Sequence, residues 1–173
     1  MHQRADGIIN RLPIITVALA ASLAAAAAAT YLYEGEWGRL GTGHSAFVEV
    51  SGVAIAPNGN VYVSDPSNNC IQYFTASGSF LGIWGAAGTD PGQFKRPFGV
   101  AVAPKGRVYV VDTDNNRVQY FTADGKFRGK WGTYGFGEGQ FNNPAALAIA
   151  PDGKVYVVEC NGARVQRFVA RAD

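Results

Sequence analysis

The stretch Gly99-Val-Ala-Val-Ala-Pro104-Lys-Gly106-Arg-Val-Tyr-Val-Val-Asp112 decides the fold, because the chain repeats it. Residues 52–65 and 146–159 follow the same pattern of apolar runs around a Pro-x-Gly turn. Three residue types recur at one interval of 47 residues: Pro57, Pro104 and Pro151; Trp37, Trp84 and Trp131; Phe47, Phe94 and Phe141. A fixed period of this length is typical of propellers, solenoids and other repeat arrays.

Each repeat has the pattern of four short strands joined by turns. Residues 100–103 and 108–111 are apolar runs on either side of a tight turn, in which a glycine supplies the positive φ. A turn rich in Asp and Asn follows at 112–116, and two further strands are predicted over 117–122 and 126–131. Four antiparallel strands per repeat predict a β-propeller blade, so the fold class is all-β.

Residues 99–144 hold one complete repeat, G-V-A-V-A-P-x-G-x-V-Y-V-x-D, then N-x-R-V-Q-x-F, then G-x-F-x-G-x-W-G, then G-x-G-Q-F-x-x-P. This pattern closely resembles the NHL-repeat family, and the resemblance covers essentially all of residues 31–173. The resemblance implies a propeller, typically of six blades, in which an N-terminal strand completes the last blade. The propeller domain is therefore expected over residues 30–173.

The strand count predicts three blades per chain, or half of a six-bladed ring. With strands lettered a to d from the axis outward, residues 31–38 align with strand d. Blades follow at about 50–85 and 97–132, and 144–168 supplies strands a to c only. We expect a head-to-tail homodimer in which strand 31–38 of each chain completes the last blade of the other. The alternative is a truncated, non-functional fragment of a longer propeller.

The N-terminus predicts export. Arg4 and Arg11 precede an apolar run over residues 12–29 that ends in small residues, which describes a signal peptide over residues 1–29. The alternative is an uncleaved membrane anchor, since a run of this length approaches that of a bilayer span. The protein is thus expected to be secreted or periplasmic, with membrane anchoring by residues 12–29 as the second interpretation.

Composition narrows the function classes. Apolar residues make up 47% of the 173 residues and charged residues 16%, which excludes intrinsic disorder. The formal net charge of +2 gives no support for a nucleic-acid partner, and none is expected. Two cysteines are too few for a disulfide scaffold, and both are expected to be free thiols.

The long d–a and b–c loops are expected on one face of the propeller, and this loop face is the candidate ligand surface. Its candidate ligand-binding residues are His44, Lys95, Arg96, Asp112, Asn116, Arg117, Asn142, Asn143 and Arg164. Asp65, Asp112 and Glu159 recur once per blade and could ring a calcium ion. Recurrence in every blade favours structural carboxylates that cap their own turns and pair with arginine, so no metal or cofactor is expected.

The resemblance also extends to enzymes, the peptidylglycine amidating lyases and streptogramin lyases, whose chemistry relies on histidines. Only His2 and His44 are present here, and His2 lies in the export segment. No Gly-x-Ser-x-Gly or His-Glu-x-x-His motif occurs. We therefore expect a non-catalytic binding or assembly module whose partner is a protein or a cell-surface glycan. The alternative is a propeller-type lyase or hydrolase.

Overall fold

The structure, a computed structural model, describes residues 31–169. The predicted export segment, residues 1–29, lies outside the described residues. Residues 31–34 have no regular secondary structure, and residues 35–169 belong to one compact unit. Among the described residues, no helix is long and apolar enough to cross a bilayer.

Three antiparallel sheets follow one another along the chain. Blade one consists of β3 (Val53–Ile55), β4 (Val61–Asp65), β5 (Cys70–Phe74) and β6 (Phe80–Trp84). Blade two consists of β7 (Pro97–Val102), β8 (Val108–Asp112), β9 (Arg117–Phe121) and β10 (Phe127–Trp131). Blade three consists of β11 (Pro144–Ile149), β12 (Val155–Glu159) and β13 (Arg164–Phe168). The all-β prediction and the three-blade count are confirmed.

Residues 31–38, expected as an outer strand, form no strand within the described chain. Two short strands that were not expected follow them: β1 (Arg39–Leu40) and β2 (Ala46–Phe47), which pair in parallel. The same pairing recurs one and two periods later as the isolated bridges Ala87–Phe94 and Tyr134–Phe141. Each d–a loop therefore folds back on itself in the same way, and its phenylalanine enters the next blade.

The core lies between blades. Tyr62 and Ile71 of blade one pack against Val108 and Phe121 of blade two, and all four side chains are fully buried. Phe94 and Phe141 are also fully buried, at the two junctions between blades. The recurring tryptophans also pack between blades, since the Trp84 ring of blade one lies 5.9 Å from the Phe121 ring of blade two.

The b–c turns end in a left-handed residue. Asn69 and Asn116 have φ values of 53° and 50°, a conformation that asparagine tolerates better than most residues. Blade three has Ala163 at this position with φ 44°, so its turn keeps the same backbone conformation without the asparagine side chain. A single 3-10 turn, Thr113–Asn115, occupies the b–c connection of blade two.

Candidate functional site

The repeated carboxylates hold the loop face together. In blade two, the buried Asp112 accepts a hydrogen bond from the Lys95 backbone N–H at 2.7 Å. Its Oδ2 also pairs with Arg117 Nε at 2.6 Å. The guanidinium of Arg117 then donates to the backbone carbonyls of Thr89, Asp90 and Gln93. A charge-assisted network therefore fixes the d–a loop onto the end of the blade.

Blade three repeats this network. Glu159 accepts from the Asn142 backbone N–H at 2.8 Å and from Arg164 Nε at 2.7 Å. Arg164 donates in turn to the carbonyls of the preceding d–a loop. The expected pairing with arginine is confirmed for Asp112 and Glu159. The backbone N–H groups that these carboxylates bind belong to the d–a loops, however, and not to their own b–c turns as expected. Asp112, Arg117 and Arg164, named above as candidate ligand-binding residues, thus belong to the framework of the loops.

The surroundings of Glu159 favour its ionised form. Burial by itself would raise the pKa of this carboxyl. Hydrogen bonds from Arg164, from the Asn142 backbone and from Gln166 outweigh that effect, so the pKa of Glu159 lies below its ordinary value of 4.5. The carboxylate is therefore ionised at neutral pH, as its hydrogen-bond acceptor role requires.

Blade one replaces the arginine with Cys70, and the network is smaller. Asp65 accepts from the backbone N–H groups of Val48 and Glu49 and from the Asn68 side chain. Burial, and secondarily the Asp65 charge, raise the pKa of the Cys70 thiol to about 12. Cys70 is buried and Cys160 is exposed, and both are free, as expected.

A cleft of about 350 Å³ opens on the loop face between blades two and three. We call it the amide cleft, because four of its lining residues are asparagines. Its lining is Thr113, Asp114, Asn116, Tyr134, Asn142, Asn143 and Asn161. The d–a and b–c loops therefore meet on one face, and three of the expected ligand-binding residues lie in one cleft.

Backbone geometry fixes the amide cleft. The Asn143 backbone N–H donates to Asn116 Oδ1 at 3.0 Å, and the Asn143 carbonyl accepts from the Cys160 N–H at 3.0 Å. Both Asn116 and Asn143 have left-handed φ values, of 50° and 54°. Within residues 31–169, the side-chain amide of Asn143 makes no hydrogen bond, and the buried Thr113 hydroxyl has no partner. Across the cleft, the Asn161 side-chain amide donates to Asn142 Oδ1 at 3.4 Å.

Lys95 and Arg96 lie one junction earlier, between blades one and two. The Arg96 backbone N–H donates to Asn69 Oδ1 at 2.9 Å, so the backbone arrangement matches that of Asn143 and Asn116. The Arg96 side chain lies over the Phe98 ring at 5.0 Å and 3.7 Å from a Glu49 carboxylate oxygen. The backbone arrangement is therefore the same at the two junctions, but the side chains are basic at the first and amides at the second.

His44 is separate from both junctions. Its imidazole stacks on the Phe80 ring of β6, with centroids 4.3 Å apart and planes at 19°. Within residues 31–169, no three His, Cys, Asp or Glu side chains are grouped so as to hold a metal ion.

Sequence reasoning did not identify several cleft residues, nor a basic depression at the hairpin turns of blade two. Comparing the repeats could have identified three of them, because their residue types differ from those one repeat earlier. These are Tyr134, Asn161 and Thr113, whose equivalents are Ala87, Asp114 and Pro66. The depression, of about 540 Å³, is lined by Lys105, Gly106, Arg107, Tyr120, Phe121, Thr122 and Arg128. Its basic residues come from the turn between β7 and β8 and from β10, which only the folded chain places together.

The family assignment follows from the repeat itself. The family model of the NHL repeat matches residues 47–74, 94–121 and 141–168, in phase with the three blades. The chain is an NHL-repeat protein. No curated protein matches it.

Solved structures with the same fold are much larger. Virginiamycin B lyase from Staphylococcus aureus is 17% identical, with a TM-score of 0.53 over 69% of this chain and 38% of the lyase. A protein from Bacteroides fragilis described as exported is 21% identical, with a TM-score of 0.54 over 70% and 33%. Hydrazine synthase from Kuenenia stuttgartiensis is 17% identical, with a TM-score of 0.51 over 64% and 29%. The NHL-repeat chain thus spans about a third of the length of these structures, and identities this low show the fold alone.

Proposed function

We propose that this NHL-repeat protein is a non-catalytic binding module whose amide cleft takes a neutral, hydroxyl-rich chain, as in a cell-surface glycan. The observation that carries the proposal is the cleft itself, in which four asparagines from two blades lie together on the loop face. An asparagine side chain both donates and accepts, which suits ligands whose hydroxyls do the same.

The electrostatics of the cleft favour a neutral ligand. Glu159 and Asp112, which lie beneath the loops, are paired with arginines, so their charges are compensated. The one carboxylate in the lining is that of Asp114, and the lining holds no cationic side chain. A neutral ligand would face little electrostatic opposition here, whereas an anionic chain would face the Asp114 charge.

Exposed aromatic rings beside the cleft also suit a glycan. Tyr134 lines the cleft and is 65% exposed, and Phe136 is 64% exposed. Their ring centroids lie 6.4 Å apart at an angle of 66°. Such rings offer apolar faces on which the C–H face of a sugar can pack, while the neighbouring amides bind its hydroxyls.

The geometry around His44 supports a binding role over the lyase alternative. His44 stacks on Phe80 and is absent from the lining of the amide cleft. Asp112 and Glu159, the buried carboxylates beneath the loops, are held as hydrogen-bond acceptors for loop backbone. A general acid or base needs a group that is free to exchange a proton with a substrate, which these are not.

We further infer that the protein acts outside the cytoplasm, where a cell-surface glycan is accessible. The inference rests on the basic and apolar pattern of residues 1–29, which lie outside the described residues. Uncleaved, the same segment would place the propeller at a membrane surface.

Isothermal titration calorimetry of the full chain tests the proposal, with hexamers of glucose, mannose and N-acetylglucosamine as probes. Removing both amides in Asn142→Ala/Asn161→Ala should weaken binding about thirtyfold, since each neutral hydrogen bond contributes roughly 1 kcal/mol. Lys95→Ala is the matched control, because Lys95 occupies the position of Asn142 at the preceding junction and should leave binding unchanged. Absence of binding to all three probes, or equal loss in the control, would overturn the glycan proposal, as would binding only to protein partners.

A further inference from the structure

The three blades pack through one repeated interface. We call the side of a blade that meets the following blade its back face, and the side that meets the preceding blade its front face. Tyr109, Val111 and Val118 on the back face of blade two are at most 7% exposed, because they meet the front face of blade three. On the front face of blade two, Val100 is 6% exposed. This interface occurs twice within the chain, with equivalent residues each time.

The back face of blade three carries the same kind of residues without a cover. Tyr156, Val158 and Val165 occupy the positions of Tyr109, Val111 and Val118. Val158 is 42% exposed and Val165 is 60% exposed, whereas their equivalents in blade two are fully buried. An apolar surface that is buried at every other occurrence of the repeat is therefore open at this one.

The front face of blade one is open in the complementary way. Val53 and Ile55 occupy the positions of Val100 and Val102. They are 66% and 70% exposed, against 6% for Val100. A shallow apolar depression of about 290 Å³ lies on this face, lined by Glu36, Trp37, Phe47, Val50, Val53 and Val63.

Trp37 occupies the place of an outer-strand end, and the described residues contain no inner strands of its blade. Its ring lies 6.1 Å from that of Phe74, as the ring of Trp131 lies 5.5 Å from that of Phe168. Gly78 approaches the Trp37 ring as Gly125 approaches that of Trp84. Within the described residues, blade three has the opposite deficiency, since it has three inner strands and no outer one.

We propose that a second copy of this chain covers both open faces. The back face of blade three packs on the front face of blade one of the other copy, and residues 35–38 of that copy extend the sheet beyond β13. The two open faces are complementary because equivalent surfaces pack against each other at the two junctions within the chain.

The repeat fixes the register of the added strand. Val118 lies opposite Trp131 and Tyr120 opposite Gly129 in blade two, so Val165 is placed opposite Trp37 and Arg167 opposite Gly35 of the other copy. A Cβ at Gly129 would lie 2.4 Å from the Tyr120 side chain, which explains the glycine there. The equivalent residue, Gly35, is also a glycine, although no atom of the described chain lies within 4 Å of its Cβ position.

Two copies of the chain supply the number of blades that closes a propeller ring. The interface is heterologous, with different surfaces meeting, so it gives a ring when the rotation closes and a filament when it does not. Propellers have about four to eight blades. Two copies of three blades make six, whereas one copy or three copies fall outside that range.

The test is the solution mass of the full chain by light scattering behind a sizing column, for two charged variants. Val165→Asp marks the back face of blade three, and Val53→Asp marks the front face of blade one. Both positions are exposed in the single chain, so each variant should remain folded. A buried aspartate should weaken association about a hundredfold or more. Wild type should run at twice the chain mass and each variant at the chain mass.

Mixing the two variants gives the decisive result. In a mixed pair, one junction carries both aspartates and the other carries none, so association should return in part. Leu81→Asp is the matched control, because Leu81 is 43% exposed and its equivalent in blade two is the exposed Arg128. A monomeric wild type, variants that keep twice the chain mass, or a mixture that stays monomeric would each overturn the proposal. Association through residues 12–29 would leave both variants associated and is thereby distinguished.

Discussion

At the scale of single residues, one repeat position shows how substitution changes local chemistry on a constant backbone. Cys70, Arg117 and Arg164 are equivalent by the repeat. Arg117 completes a network around a buried carboxylate, whereas Cys70 is buried beside Asp65 with only a weak donor to offer. Blade one keeps its fold nonetheless, because backbone N–H groups and Asn68 satisfy Asp65.

The two cysteines should react very differently with a thiol reagent. Cys70 is 4% exposed and its thiol has a pKa of about 12, so it forms almost no thiolate at pH 8. Cys160 is exposed. We expect DTNB to titrate one thiol per native chain and two in denaturant. Cys160→Ser should abolish the native reaction, and a fast native reaction in that variant would contradict the buried placement of Cys70.

Glu159 should make stability depend on pH in the acid range. The pKa of Glu159 is lower in the folded state than its ordinary value of 4.5. Its contribution to the free energy of unfolding is therefore complete above about pH 4.5 and is lost as the pH falls through the folded-state pKa. Urea unfolding between pH 7 and pH 3 should show a shallower loss of stability for Glu159→Gln than for wild type. Glu138→Gln, at an exposed position in the preceding loop, is the control, and an equal slope in both variants would contradict this role.

At the scale of elements, a buried carboxylate at the end of the second strand of each blade ties the long d–a loop to that blade. In blade two the Asp112–Arg117 pair joins the end of β8 to β9 and, through loop carbonyls, to the d–a loop. The loops are long and polar, yet these contacts give them a defined path. The amide cleft is formed by loops held in this way, so its shape depends on framework residues that lie beneath it.

Removing Asp112 should destabilise the protein far more than removing its partner. Asp112→Ala leaves the Arg117 guanidinium buried without its counter-ion, which typically costs about 3–5 kcal/mol in the free energy of unfolding. Arg117→Cys reproduces the combination found naturally in blade one, so its cost should be clearly smaller. Urea unfolding of the two variants makes the comparison, and an equal loss of stability would contradict the expected difference between the two partners.

At the scale of the whole molecule, three blades leave two apolar faces that match each other. If a second copy covers both, folding and association are linked, and the midpoint of thermal unfolding should rise with protein concentration. We expect this rise for wild type over a hundredfold range of concentration, measured by circular dichroism. Val165→Asp should show no such rise, and a concentration-independent midpoint for wild type would contradict the linkage.

The sequence by itself determined the all-β fold and its blades, because the 47-residue period repeats both apolar runs and turn residues that act locally. It also predicted the structural role of Asp112 and Glu159, since recurrence in every blade is typical of framework residues.

Other features depended on side chains brought together across blades. The amide cleft joins Asn116 of one blade to Asn142 and Asn161 of the next sequence repeat, and the local pattern does not show which loops meet. Only the tertiary structure decided that Arg117 faces inward, that His44 stacks on Phe80, and that Val53 and Val165 lie on open faces, because exposure is a property of packing between blades.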